Sequence, residues 1–291
     1  MDIGVVVKAI SGFYYVQLGN KIWECSLRGR FRKEKKNVLV GDRVKIVPRD
    51  DKTAVVDEIL PRETELTRPP VANVEQAIIV FALQDPKPNL GLLDHLLVIA
   101  EIENINPVIC FNKTDLDNIE HIENIKEIYS GTGYPLLFTC AIKGQGIVAL
   151  QEVLKDKISV FAGPSGVGKS TLLNYVQPGL GLKTGEVSEK IGRGRHTTRH
   201  TELLQLDFGG LVADSPGFSS LYLPEMKKEQ MSAFFPEFAP FLGECKFTGC
   251  AHDKEPNCAV KKAVEQMDIH PQRYQHYLDF VKEVAQKDRR Y

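Results

Sequence analysis

The sequence predicts a doubly wound α/β core, preceded by a small all-β barrel and followed by a mainly helical segment. Three observations predict it. Over 1–65, short runs rich in Val, Ile and aromatic residues are separated by turn-forming stretches. Over 66–222, fully apolar runs of strand length alternate with amphipathic ones. Over 223–291, helix-like stretches surround a close group of cysteines and a histidine.

In the first part, IGVVVKA, GFYYVQL, KIWECSL, VLVGDRVKIV and TAVVDEIL read as strands. Five strands in this length suit the five-stranded OB-fold, with an SH3-like barrel as the alternative. Between the third and fourth runs lie Arg28, Arg30, Arg32, Lys33, Lys35 and Lys36, with Glu34 the single acid among them. Such a cluster would lie along an RNA phosphate backbone, with Phe31 placed to stack; a solvated basic loop is the plainer reading.

In the second part, QAIIVFAL, NPVICFN, PLLFTCA, ISVFAG and GGLVADS have the continuous apolar character of buried parallel strands. Helix-like stretches such as 92–103 and 119–129 stand between them, the alternation of a doubly wound sheet. Four motifs sit at strand ends. After ISVFA comes Gly163-Pro164-Ser165-Gly166-Val167-Gly168-Lys169-Ser170, then Thr171 and an apolar helix start, the context a phosphate loop requires. Its glycines let backbone N–H groups approach phosphate oxygens, Lys169 neutralises the outer phosphates, and Ser170 offers a hydroxyl to Mg²⁺. After GGLVA comes Asp214-x-x-Gly217, a DxxG motif whose Asp serves the metal and whose Gly senses the terminal phosphate. After PVICF comes Asn112-Lys113-Thr114-Asp115, where the Asp carboxylate pairs with the guanine edge and Asn and Lys frame the base. After PLLF comes Thr139-Cys140-Ala141, like the small-residue loop that closes over guanine. Between the phosphate loop and DxxG, Gly192 to His200 carries Thr197 and Thr198, alternative candidates for a second Mg²⁺ contact, and Arg193, Arg195 and Arg199.

An ordinary GTPase presents its phosphate loop first and NKxD last; here the order is reversed, as in a core whose beginning and end have been exchanged. Such a permutation keeps the same sheet contacts when the termini lie close together. On these motifs the chain resembles, over essentially its whole length, the circularly permuted bacterial GTPase family called ribosome small-subunit-dependent GTPase A. The resemblance implies an N-terminal OB-fold over 1–65, a permuted GTPase domain over 66–222 and a C-terminal zinc domain over 223–291. It also implies GTP hydrolysis stimulated by the small (30S) ribosomal subunit and its 16S rRNA, in late maturation of that subunit, with release coupled to hydrolysis.

A Ras-like enzyme places a Gln just after DxxG to orient water; here that residue is Phe218. His196, beside the Thr pair, is the candidate to do so, with an exposed histidine of no role as the alternative. In the third part, Cys245, Cys250, His252 and Cys258 supply three thiolates and an imidazole, the donor set of a closed structural Zn²⁺ site. Cys25, Cys110 and Cys140 stand apart and read as small buried residues. Candidate helices here are 227–235, 259–267 and 271 onward, ending in Lys287, Arg289 and Arg290.

Composition excludes several classes. A net charge of -1 argues against a uniformly basic nucleic-acid coat protein. No apolar run approaches the roughly 20 residues of a membrane helix, and the start, MDIGVVVKAI, does not read as a secretory signal. Six cysteines in 291 residues are too sparse for a disulfide framework, so the cytoplasm is the expected compartment. The lack of a coiled-coil pattern favours a monomer.

Overall fold

The computed structural model describes residues 3–29, 31, 37–67, 69–180, 182, 201–213 and 223–288. Strands β1 (Ile3–Ile10), β2 (Phe13–Leu18), β3 (Lys21–Leu27), β4 (Arg43–Pro48) and β5 (Thr53–Ile59) close into a barrel in the order β1-β2-β3-β5-β4. Only β3 and β5 pair in parallel, with Cys25 opposite Ala54. Period-two alternation sends Val6, Val16, Cys25, Val44, Ile46 and Val56 into the barrel interior.

One expectation for the basic cluster is corrected here. Phe31 is 4% exposed and belongs to the barrel core with Val38, so it does not stack on an outside partner. A phenyl ring gains more from an apolar interior than from water, whatever the charge of its neighbours. Arg28 is half-exposed, and its guanidinium pairs with the Asp57 carboxylate at 2.7 Å. Arg30, Arg32, Lys33, Lys35 and Lys36 lie outside the described residues.

The fourth strand starts later than its apolar run suggested. Residues 38–42 instead lead into a tight junction with a short ribbon, β6 (Glu65–Thr67) and β7 (Pro70–Ala72). Gly41 has φ +92, and a Cβ there would meet the Ala72 carbonyl oxygen at 2.0 Å, so only glycine permits this approach. Asp42 is fully buried beside it, accepting from Leu39 N at 2.8 Å and pairing with Arg62 at 2.7 Å.

The central sheet comprises β8 (Gln76–Ala82), β9 (Asn106–Asn112), β10 (Leu136–Phe138), β11 (Ile158–Ala162), β12 (Leu203–Gln205) and β13 (Leu211–Ala213). Its order is β10-β9-β8-β11-β13-β12, parallel except where β12 runs against β13. Helices α1 (Leu90–Ile102) and α2 (Ile119–Tyr129) cover one face through Leu93, Leu97, Ile125 and Ile128. Helices α3 (Ile147–Leu154) and α4 (Lys169–Val176) cover the other through Leu150, Leu154, Leu172 and Val176. Buried on both faces, β8 is apolar at nearly every position, its alternate residues Ile78 and Ile79 entering opposite cores. Asn89 and Asn118 cap α1 and α2, accepting from Leu92 N at 3.0 Å and His121 N at 2.9 Å.

The first strand of the early half, β8, lies directly beside the first strand of the late half, β11. All parallel strands therefore point the same way, and loops after β9, β10 and β11 meet at one rim of the sheet, where α/β folds bind ligands.

The C-terminal unit holds two 3₁₀ segments (Lys228–Phe234 and Pro236–Phe241), α5 (Ala259–Glu265) and α6 (Pro271–Asp288). The expected helix over 227–235 is the first 3₁₀ segment. Pro236 disfavours an α conformation at Phe235, so the segment stays short and tight. Met231, Phe235, Phe238, Tyr277 and Phe280 form its core, which also takes in Val98 of α1. Arg273 of α6, 1% exposed, lies across this joint. It contacts Asp94 of α1 at 2.7 Å and Glu237 at 2.7 Å, while Tyr129 of α2 donates to Asp94 at 2.9 Å. Burial alone would lower the Arg273 pKa, but the two carboxylates more than reverse it and raise it. Among the described residues no helix is long and apolar enough to cross a membrane.

Truncating Arg273 leaves the buried Glu237 carboxylate without its charge partner, while Asp94 keeps only Tyr129 and His276. Arg273→Met is expected to cost about 3–5 kcal/mol, read as a lower urea midpoint for the helical unit.

Candidate nucleotide site and metal centre

Asn112 ends β9 and is 2% exposed. Its side-chain amide donates to Val167 O at 2.9 Å, and its Oδ1 accepts from Thr139 Oγ1 at 3.1 Å and Ala141 N at 3.3 Å. One side chain thus joins the NKTD segment, the TCA segment and the phosphate loop. Lys113 follows in a left-handed conformation, φ 60, which turns its ammonium to the Asp85 carbonyl. Asp115 sits in a 3₁₀ turn, Thr114–Leu116, and accepts from Cys140 Sγ at 3.1 Å; Lys143 Nζ lies 3.9 Å from its other oxygen.

These segments and the start of α4 enclose a pocket of about 220 Å³. Asn112, Lys113, Asp115, Cys140, Ala141, Gly168 and Thr171 line it, together with Leu116 and Ile142. A carboxylate at one edge and apolar side chains on the walls suit a flat heterocycle with N–H donors along one side. Thr139 does not line the pocket; it is fully buried and supports Asn112. Sequence reasoning missed Leu116 and Ile142, 51% and 66% exposed. Their only signal is position, each directly following a recognised motif.

The phosphate loop turns on glycines with φ +127 at Gly163, +80 at Gly166 and +96 at Gly168. A Cβ on Gly163 would meet Val80 O at 2.0 Å, and one on Gly168 would meet Asn112 Nδ2 at 2.5 Å. Ser165 and Gly166 are exposed, Val167 is buried in the core, and Pro164, Ser170 and Thr171 are half-buried around the helix start. Lys169 Nζ donates to Gly163 O at 2.8 Å and Pro164 O at 2.6 Å, and burial lowers its pKa. The ammonium is thereby held over the loop whose backbone would cradle phosphates. His196, Thr197, Thr198, Asp214, Gly217 and Phe218 lie outside the described residues.

In the C-terminal unit, ligand atoms of Cys245, Cys250, His252 and Cys258 all lie within 4.8 Å of one another. Cys245 Sγ is 3.7 Å from Cys258 Sγ and 3.5 Å from His252 Nδ1, and Nδ1 is 3.3 Å from Cys258 Sγ. A tetrahedral ion with bonds of about 2.0–2.3 Å needs ligand separations of this order. Backbone N–H groups of His252 and Ala259 point at the sulfurs of Cys250 and Cys245, as thiolates require. Tyr274 and Tyr277 fix the loop by donating to His252 O and Ala251 O at 2.7 and 2.6 Å. Burial pushes the Cys250 thiol up to about 12 and lowers the His252 pKa. A bound cation would favour the ionised thiol against that burial. These four residues fit a metal ion.

Known proteins resemble this chain over its whole length. The model of the RsgA GTPase family matches residues 59–224, and that of the RsgA N-terminal domain matches residues 3–56. The chain belongs to the RsgA GTPase family. A relative from Caldanaerobacter subterraneus subsp. tengcongensis, named small ribosomal subunit biogenesis GTPase RsgA, is 50% identical over 99% of this chain and 97% of its own. One of the same name from Moorella thermoacetica is 51% identical over 98% of both chains. The crystal structure of YjeQ from Thermotoga maritima superposes with a TM-score of 0.87 at 38% identity, covering 98% of each chain. That of YloQ, described as a circularly permuted GTPase, gives 0.85 at 40% identity over 99% of this chain and 96% of the other. The reversed motif order is therefore a family fold, with the closed barrel in front and the Cys/His cluster behind.

Gly168 follows Val167, which accepts from Asn112, and lies against the same amide. Gly168→Ala is expected to weaken GDP binding by roughly tenfold, about 1.4 kcal/mol, through left-handed strain and pressure on Asn112. Titration with fluorescent GDP, beside an unchanged circular dichroism spectrum, checks it.

Proposed function

We propose that this protein is a GTP hydrolase that binds the small (30S) ribosomal subunit and acts in its late maturation, hydrolysis being stimulated by the subunit and coupled to release. The single observation that carries the enzyme reading is the pocket in which Asp115 and Gly168, from opposite halves of the permuted chain, face the same space. The ribosomal part draws on the names of the full-length relatives.

In this reading Asp115 accepts hydrogen bonds from guanine N1 and N2, and an adenine base is rejected because it would leave those polar groups unpaired. Asn112 and the Thr139-Cys140-Ala141 segment hold that carboxylate in place, while Leu116, Ile142 and the Lys113 stem cover the ring faces. Backbone N–H groups of 163–170 and the end of α4 receive the phosphates, and Lys169 exchanges its carbonyl partners for phosphate oxygens. Ser170, Asp214 and one of Thr197 and Thr198 offer hard oxygen donors that suit Mg²⁺, which supplies charge neutralisation at the phosphates. Gly217 senses the terminal phosphate. His196 orients the attacking water, since Phe218 has no hydrogen-bonding group.

The Cys245, Cys250, His252 and Cys258 cluster holds one structural Zn²⁺; its donor set of three sulfurs and one nitrogen leaves no position for water. The functional units are 1–65, 66–222 and 223–291. The first contacts 16S rRNA through Arg28, Arg30, Arg32, Lys33, Lys35 and Lys36. The protein acts as a cytoplasmic monomer.

Phosphate release by the full chain, alone and with purified 30S or 50S particles, tests the proposal. The expected result is slow release alone, acceleration by 30S only, and loss of that acceleration in His196→Ala with GTP binding retained. Negligible release with 30S present would leave a GTP-regulated RNA-binding module instead.

A further inference from the structure

The barrel touches the sheet at one place directly connected to the chemistry. Strand β12 is the sheet's edge, yet its open side is not left to solvent. Lys8 of β1 forms an antiparallel bridge with Glu202, the residue just before β12. The same two side chains pair, Lys8 Nζ to Glu202 Oε2 at 2.8 Å. Beneath them Val7 of the barrel and Leu203 and Ala213 of the sheet share one apolar core.

The register gives this contact its meaning. Leu203 lies directly opposite Ala213. In sequence, only Thr201 separates Glu202 from the Gly192 to His200 stretch, and Ala213 immediately precedes Asp214. The described residues that adjoin the two segments assigned by the Proposed function to the Mg²⁺ and γ-phosphate response, 201–203 and Ala213, are thus side by side in the sheet, next to the barrel contact. By contrast, the contacts of Gly41 with Ala72 and of Arg43 with Glu75 reach the ribbon and the opposite end of the strands.

We propose that Lys8 and Glu202 are positioning residues for hydrolysis: the barrel, through this bridge, sets where both responsive segments begin, so that subunit contact at the barrel reaches the reacting phosphate. Neither residue lines the pocket. The inference rests on the functional reading above and adds to it a route from partner to site.

The test uses the full-length protein as wild type, Lys8→Glu, Glu202→Lys and the charge-swapped double variant. For a half-exposed pair turned repulsive, each single reversal is expected to lower the 30S-stimulated kcat by roughly three- to fivefold. KM for GTP, affinity for 30S and the unstimulated rate stay within about twofold of wild type, and the swap restores kcat. A structural lesion would instead lower all of these together. Stimulated kcat unchanged in both single variants, or not restored by the swap, overturns the proposal. If wild type itself is not stimulated by 30S, the functional reading fails, and the bridge is judged on its own by hydrogen exchange. With Mg²⁺ and a non-hydrolysable GTP analogue, amides of 201–213 should then exchange faster in each single variant and return to wild-type rates in the swap. Equal exchange in all four proteins overturns the proposal.

Discussion

The side-chain amide of Asn112 is the constraint on which the rest of the site depends. Its donor goes to Val167 O and its acceptor to Thr139 and Ala141, so three loops from three different strands share one buried group. Each of those partners would otherwise be a polar atom out of water, at a cost of about 1–3 kcal/mol apiece. The bonds make the permuted order immaterial to the pocket. Whichever connection of the sheet is cut, the NKTD turn and the phosphate loop are pinned at a fixed separation by Asn112.

The same economy of placement runs through the outer parts. The barrel is mounted on the sheet by close backbone approach at Gly41 and by the buried Asp42–Arg62 pair. The C-terminal unit is mounted by Arg273 among Asp94, Glu237 and Tyr129. A buried charge cluster of this kind adds little net stability over an apolar one but penalises misplacement strongly, because a shift leaves carboxylates unpaired. The metal-binding loop is therefore fixed relative to α1, the helix that follows β8, and through it to the central sheet.

Much of this was legible in the sequence because the informative signals were local. Apolar runs bounded by turn residues marked β8, β9 and β11, and the Gly163–Ser170 glycines mark a backbone that only glycine adopts freely. The Cys/His spacing marked the metal cluster for the same reason. What the sequence hid was long-range. Phe31 sits in a run of charge, and only barrel closure shows that its ring turns inward. Strand β12 has three residues and is held by β13 and the Lys8 bridge rather than by its own pattern. Leu116 and Ile142 look like ordinary loop residues until two distant loops bring them to one pocket.

The central claim is that Asp115 reads guanine in a pocket completed by the phosphate loop. Affinity for GTP and for xanthosine triphosphate, measured on wild type and Asp115→Asn, tests it most directly. An amide offers an N–H where the carboxylate offered only oxygens, matching xanthine, whose 2-carbonyl replaces the guanine amino group. The account predicts a loss of GTP affinity of at least about a hundredfold and a gain for xanthosine triphosphate. GTP affinity unchanged in Asp115→Asn would contradict it.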